Sequence, residues 1–255
     1  KSTKLLAAIL VITQIAMLPL VAFNTSLASS SYNQQEILLS ASDIEQSNNN
    51  CTTIWDAMRA HFSLNNYDNQ PAVKQAILWY TSHPTDLNRM FKQAAPYLAY
   101  IYKVTQQKNL PAELALLPMV ESSFIIRAHS SAGATGLWQL RAGTAHDMGL
   151  KINAWYDGRN DIVASTDAAL KYIVKLHNYF NDWLLALAAY NDGVGLIHKD
   201  MQYNLSHNHG AGYWQLHIPK ETRAYLPRLL AFAAIMRDPA KYHLQLPNIP
   251  MAPLE

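Results

Sequence analysis

Cysteine is nearly absent from this chain. Cys51 has no partner among the 255 residues, so no internal disulfide can staple the fold. Its neighbours Asn48, Asn49 and Asn50 are not the small apolar residues that precede a lipidated cysteine, so an incidental thiol is expected. Charge is sparse as well: 15% of residues are Asp, Glu, Lys or Arg, and the formal net charge is only +2. Half of the residues are hydrophobic, which excludes a disordered chain and is enough for a full core. Strand signals are missing too. No sustained apolar/polar alternation and no internal repeat can be found, which leaves helix as the main building material. A metal-ligand pattern is also lacking. His207 and His209 lie in an Asn/Gly-rich loop with His198 and His217 nearby, but there is no cysteine partner and no His-Glu-x-x-His. These read as solvated loop histidines, and neither a metal nor a cofactor is expected.

Part of the hydrophobicity sits at the start of the chain. Lys1 and Lys4 precede an apolar run from Leu5 to Phe23, followed by Ser26-Leu27-Ala28. That order reads as a secretory signal over residues 1–28 and places the protein in the periplasm or cell envelope. The competing reading is an uncleaved anchor, since the run is long for a signal; membrane association follows only in that case. Cleavage removes two lysines and no acids from a net charge of +2, leaving zero. A neutral chain gives no electrostatic case for binding nucleic acid.

Residues 29–51, rich in Ser, Asn and Gln, read as a disordered linker. Helical periodicity begins at residue 52. Thr53 is a plausible N-cap for a helix carrying Ile54, Trp55, Met58 and Phe62. Further helices are expected from Pro71 (Val73, Ile77, Leu78, Tyr80), after Pro84, and from near Pro96. Pro111 suits the first turn of another helix, with Glu113 at its positive end and Glu121 near its close. Ser165-Thr166-Asp167 opens a strong helix, and Asp182 caps Trp183 to Tyr190. A last helix starts at Pro219 and is interrupted at Pro227. The fold class is mainly α, with at most a small irregular strand element near the glycine-rich loop.

Three local signals carry chemistry. Glu121 ends the apolar run Leu116-Leu117-Pro118-Met119-Val120, where the negative end of the helix dipole and apolar neighbours both disfavour its charge. Those effects raise a carboxyl pKa, as a general acid requires. The segment Ser130 to Gln139 holds Gly133 and Gly136, which let backbone approach a ligand, and Gln139, which can both donate and accept. Trp138 reads as core. Ala188-Ala189-Tyr190-Asn191-Asp192-Gly193 closes an apolar helix, with Gly193 as its stop; Tyr190 is either a satisfied core phenol or a partner for the acid. Alone, each signal has a structural explanation.

Together they resemble the lytic transglycosylase and goose-type lysozyme superfamily. The catalytic Glu-Ser pair of that family is similar to Glu121-Ser122. Its Ser-x-x-Gly-Ala-x-Gly-Leu-Trp-Gln segment is similar to residues 130–139, and its Ala-Ala-Tyr-Asn-x-Gly to 188–193. Its Glu-Thr-x-x-Tyr resembles Glu221-Thr222-Arg223-Ala224-Tyr225, so the likeness covers roughly 52 to 243. The resemblance implies a lysozyme-like catalytic (SLT) domain over 109–245, an N-terminal helical extension over 52–108 and a tail over 246–255. It implies peptidoglycan glycan strands as partner and non-hydrolytic cleavage to 1,6-anhydro ends, with Glu121 as acid and then base. Ser122, Ser130, Gln139, Tyr190, Asn191, Glu221 and Tyr225 become the expected sugar- or stem-contacting residues. Two departures stand out: Asp192 replaces a usual Ser or Ala, and Arg141-Ala142 replaces a pair that commonly ends in Pro. The 255 residues contain no LysM repeat. Two rivals remain open. One is a hydrolytic muramidase using Asp157, Asp161 or Asp192 as second acid, and the other a peptidoglycan-binding protein that does not cut.

Overall fold

A computed structural model describes residues 53–251. The expected signal, linker and Cys51, and residues 252–255 of the expected tail, lie outside the described residues. Within them the architecture is mainly α. Ten α-helices are joined by short 3-10 turns, and the β content is three isolated bridges: His129 with Thr135, Thr135 with Leu140, and Ile152 with Asp157. Two of these bridges fold the glycine-rich loop, where the small strand element was expected.

Helix α1 (Ile54–Ala60) starts in a capping box. The Thr53 hydroxyl accepts from the Asp56 amide, and the Asp56 carboxylate accepts from the Thr53 amide. Helices α2 (Pro71–Ser82) and α3 (Pro84–Ala94) both begin on proline, whose missing N–H costs nothing in the first turn. The buried side of α2 is Val73, Ile77 and Tyr80; Leu78, expected on that face, is exposed. Helix α4 (Leu98–Gln107) follows.

The single helix expected from Pro111 to Glu121 is instead a 3-10 turn, Ala112–Leu116, followed by the short α5 (Leu117–Glu121). Pro118 explains the break. It has no N–H to give the Leu114 carbonyl, which accepts the Leu117 amide in the tighter i→i+3 bond. Helix α6 (Ala142–Asp147) is short. Helix α7 (Ile162–Phe180) begins three residues before the expected start at Ser165. Asp161 is its cap and accepts from Ala164 N at 2.9 Å. Helix α8 (Trp183–Asp192) is capped by Asp182, as expected, and stops at Gly193 with φ 90. Helix α9 (Val194–Ser206) was not expected; it buries little beyond Ile197 and Asn204, so its apolar stripe is faint.

Helix α10 (Lys220–Arg237) runs through Pro227 without the expected interruption. The proline removes the amide that would bond the Arg223 carbonyl four residues back. The Tyr213 hydroxyl donates to that carbonyl instead, at 3.2 Å, and the helix continues. Leu226, Leu229, Phe232 and Ile235 of α10 are buried at the centre, against α2 and α8. One apolar core spans the described residues from Ile54 to Ile249. Among the described residues no helix is long and apolar enough to cross a membrane.

Candidate active site

Glu121 is the last residue of α5. Ser122 caps the helix, and its buried hydroxyl donates to the Leu137 carbonyl at 2.8 Å, tying the acid's helix to the glycine-rich loop. The chain then turns through Ser123 (φ 53) and Phe124 (φ 61), two left-handed non-glycine residues in a row. Each costs on the order of 1–2 kcal/mol. The buried Phe124 ring and the Phe124 amide, which donates to the Pro118 carbonyl at 3.0 Å, hold the turn closed. The sharp ending keeps Glu121 part-buried at the edge of a cleft.

The Tyr225 hydroxyl of α10 donates to Glu121 Oε1 in a short contact. Oε2 takes no hydrogen bond among the described residues. Burial pushes the Glu121 carboxyl up to about 7, and the Tyr225 hydrogen bond pulls only partly against it. Desolvation, with Glu121 close by, also holds the Tyr190 and Tyr225 phenols well above their ordinary range. Both phenols are therefore donors at neutral pH. Tyr190 gives its proton to the Trp138 carbonyl at 2.7 Å, so it props the loop, and the Glu121 hydrogen bond belongs to Tyr225.

The loop itself is built from within. Ser130 Oγ accepts from Ala134 N at 3.0 Å, and Gln139 (φ 48) donates from Nε2 to the carbonyls of Gly136 (2.8 Å) and Ala128 (3.2 Å). Trp138 is fully buried and donates to Thr166 Oγ1, as a core residue. Gly136 (φ 85) is required for a close approach: a Cβ there would lie 1.9 Å from the Arg159 carbonyl oxygen. That approach is to the protein's own backbone, where the sequence suggested a ligand. Gly133 (φ 80) has no neighbour within 4 Å of such a Cβ. Arg159 completes the loop by donating to the Gly133 and Leu140 carbonyls while paired with Asp157 at 2.7 Å.

Asn191 has a buried Oδ1 without a partner among the described residues, which leaves it able to receive a donor. Asp192 accepts the Thr222 hydroxyl, joining the end of α8 to the first turn of α10. Glu221 lies on that turn; its side chain is outside the described portion. A cleft of about 670 Å³ opens beside this group. Val120 and Ser123, on either side of the Glu121-Ser122 pair, line it together with residues of α2, α3 and α10. Trp79 and Arg89, from the extension, share that lining. Sequence reasoning assigned neither to the site, because nothing local marks a helix face as a cleft wall. Among the described residues no group of three His, Cys, Asp or Glu side chains could hold a metal ion. His198 pairs with the Tyr179 hydroxyl, and His207 with the Tyr203 carbonyl.

A mainly α, lysozyme-like domain with one part-buried, tyrosine-held carboxylate defines the class. The chain belongs to the transglycosylase SLT domain family. That family matches residues 99–210, a span that includes the Glu121, Gly-loop and Tyr190 segments and stops before α10. Among the relatives is the putative tributyltin chloride resistance protein of Alteromonas sp. (strain M-1), 35% identical over 167 residues, 64% of this chain and 80% of that protein. The membrane-bound lytic murein transglycosylases D of Escherichia coli strains K12 and CFT073 are each 39% identical over 170 residues, 66% of this chain. The match spans only 38% of those two proteins' length.

Proposed function

We propose that this protein cleaves the β-1,4 bond between N-acetylmuramic acid and N-acetylglucosamine in peptidoglycan without water, leaving 1,6-anhydro ends, and that it works in the periplasm or cell envelope. The observation that carries this reading is the state of Glu121. One carboxyl is raised to about 7, fixed through Oε1 by Tyr225 and unpartnered at Oε2. A group with a pKa near the working pH can give a proton and take one back.

In the first half, protonated Glu121 donates to the glycosidic oxygen. The bond from that oxygen to the muramic C1 breaks, and the glucosamine leaves with a hydroxyl. Positive charge at C1 is stabilised by the substrate's own N-acetyl group. In the second half, the Glu121 carboxylate takes the proton of the muramic 6-hydroxyl, whose oxygen closes on C1. The enzyme ends protonated as it began. Asn191 Oδ1 accepts a sugar N–H or O–H, while Ser122, Ser130, Gln139 and Tyr190 keep the loop in shape around the sugar.

The muramidase alternative needs a placed water, usually held by a second carboxylate. Each candidate has another task. Asp157 is paired with Arg159, which holds its carboxyl below the usual range. Asp161 caps α7 and accepts from Tyr156, and Asp192 accepts from Thr222. The deciding experiment is mass spectrometry of soluble products from purified peptidoglycan, with wild type and Glu121→Gln. Anhydro-muropeptides from wild type alone uphold the proposal. Reducing-end muropeptides would replace it with a muramidase, and retained glycan without products would replace it with a binding protein.

A further inference from the structure

The cleft beside Glu121 has a charge that the sugar backbone does not explain. Lys220, Arg223 and Arg228 line it from α10, spaced at i, i+3 and i+8 with the small Ala224 and the ring of Pro227 between them. All three side chains are exposed, and none forms a salt bridge among the described residues. Arg223 donates to the Ile218 carbonyl, a neutral acceptor that fixes its direction without pairing its charge. The opposite wall, from α2 and α3, contributes Gln75, Trp79 and Arg89. Among the described residues the only acid in the lining is Asp86, and it is already paired with Arg89 at 2.7 Å. Trp79 is 48% exposed and stacks on His83 with ring centroids 4.4 Å apart, giving the wall a rigid apolar face.

An N-acetylhexosamine backbone is neutral, so three unpaired cations have no partner along it. The anionic part of peptidoglycan is the peptide stem, a short peptide with free carboxylates carried on the muramic lactyl group. We propose that this cleft, walled jointly by the N-terminal extension and α10, is a carboxylate-binding subsite for the substrate's peptide stem. Lys220, Arg223 and Arg228 are its anion-binding residues and Trp79 its apolar wall. The proposal rests on the peptidoglycan reading of Glu121. A nucleic acid would also seek cations, but the chain outside the expected signal is formally neutral and these charges are confined to one cleft.

The test compares the full chain with its Lys220→Gln/Arg228→Gln double variant, two exposed substitutions outside the acid's own contacts. Each acts on stem-bearing glycan strands and on the same strands stripped of peptide by an amidase, with the freed lactyl carboxylates capped as methyl amides so that the control strand is neutral. The expected result is a KM about tenfold higher for the variant on stem-bearing strands, shrinking at high salt, with activity on stripped strands unchanged. Equal losses on both substrates, or no loss on either, would overturn the subsite. Binding of a soluble muramyl peptide to the Glu121→Gln background, measured by calorimetry, decides the matter apart from catalysis. About tenfold weaker binding on adding Lys220→Gln/Arg228→Gln supports the subsite, and unchanged binding overturns it. Polyphosphate displacing the muramyl peptide at equal charge concentration would reduce the cleft to an unselective cation patch and overturn it as well. Failure of wild type to make anhydro ends from either strand would refute the transglycosylase reading, while the calorimetry still judges the subsite.

Discussion

Glu121 is the acid of the proposed mechanism, and its carboxyl is pushed up to about 7 by burial. Its folded pKa of about 7 lies above the ordinary carboxyl value of 4.5, so the folded state holds this proton more tightly than the unfolded chain. The stability linked to that proton is fully present below pH 4.5 and is lost as pH rises through 7. Replacing Glu121 by Gln removes the penalty. The variant should match wild type at pH 4 and exceed it by about 2–3 kcal/mol at pH 8, several degrees in Tm, as melting curves at the two pH values would show. Its turnover should fall by about 10²–10⁴-fold or more, so stability and activity move in opposite directions. Tyr225 gives a second prediction of definite sign. Its hydrogen bond favours the carboxylate and lowers the Glu121 pKa, so Tyr225→Phe should move the alkaline limb of the rate profile to higher pH. The plateau rate should fall by about tenfold, the worth of one charge-assisted hydrogen bond. A limb that stays in place would mean that Tyr225 does not act on the titrating group.

The glycine-rich loop is an element whose sequence and structure speak different languages. The Gly133/Gly136 pair and Gln139 were legible as a turn-forming loop, but their spacing could not say which glycine serves the fold. Gly136 does, because its Cα faces the Arg159 carbonyl. Gly136→Ala should push that backbone apart, costing more than about 3 kcal/mol and losing activity with it, while an alanine at Gly133 meets only the φ penalty of about 1 kcal/mol. Urea midpoints of the two variants should rank in that order. Helix ends show the same division. Thr53, Asp182 and Gly193 were readable because a cap is a local hydrogen bond between near neighbours. The 3-10 turn before α5 was not, since a proline's cost depends on which carbonyl finds another donor. Nor was the continuity of α10 through Pro227, where that donor is Tyr213, ten residues from the carbonyl it satisfies. Tyr213→Phe tests this directly. Loss of the hydroxyl should leave the Arg223 carbonyl without that donor and lower stability by about 1–2 kcal/mol, read from the unfolding midpoint.

At the scale of the molecule, the extension and the catalytic region are one physical object. The sequence divided them at residue 108, because the resemblance to known motifs is strongest beyond it. Their joint core depends on pairings more than a hundred residues apart, which no local pattern encodes. Tyr80 of α2 meets Phe232 of α10 with ring centroids 4.3 Å apart. The Trp55 indole donates to the Pro247 carbonyl, and Arg59 to that of Met236. Glu113 is the keystone of this packing. Fully buried, it accepts from the Ser63 and Leu64 amides and from Arg237, which also donates to the Leu64 carbonyl. Burial raises its pKa against those bonds, so its charge depends on keeping every partner. Arg237→Met strands that carboxylate in the core and should cost about 3–5 kcal/mol near neutral pH. The cost should shrink in mild acid, where Glu113 can take a proton, and the double variant Glu113→Gln/Arg237→Met should recover part of it. Because this cluster touches both regions, the loss should appear as a downward shift of one cooperative melting transition. Two transitions, with only the first moved, would mean that the extension folds as a separate unit and that the cleft wall bearing Trp79 can open without unfolding the acid's own domain.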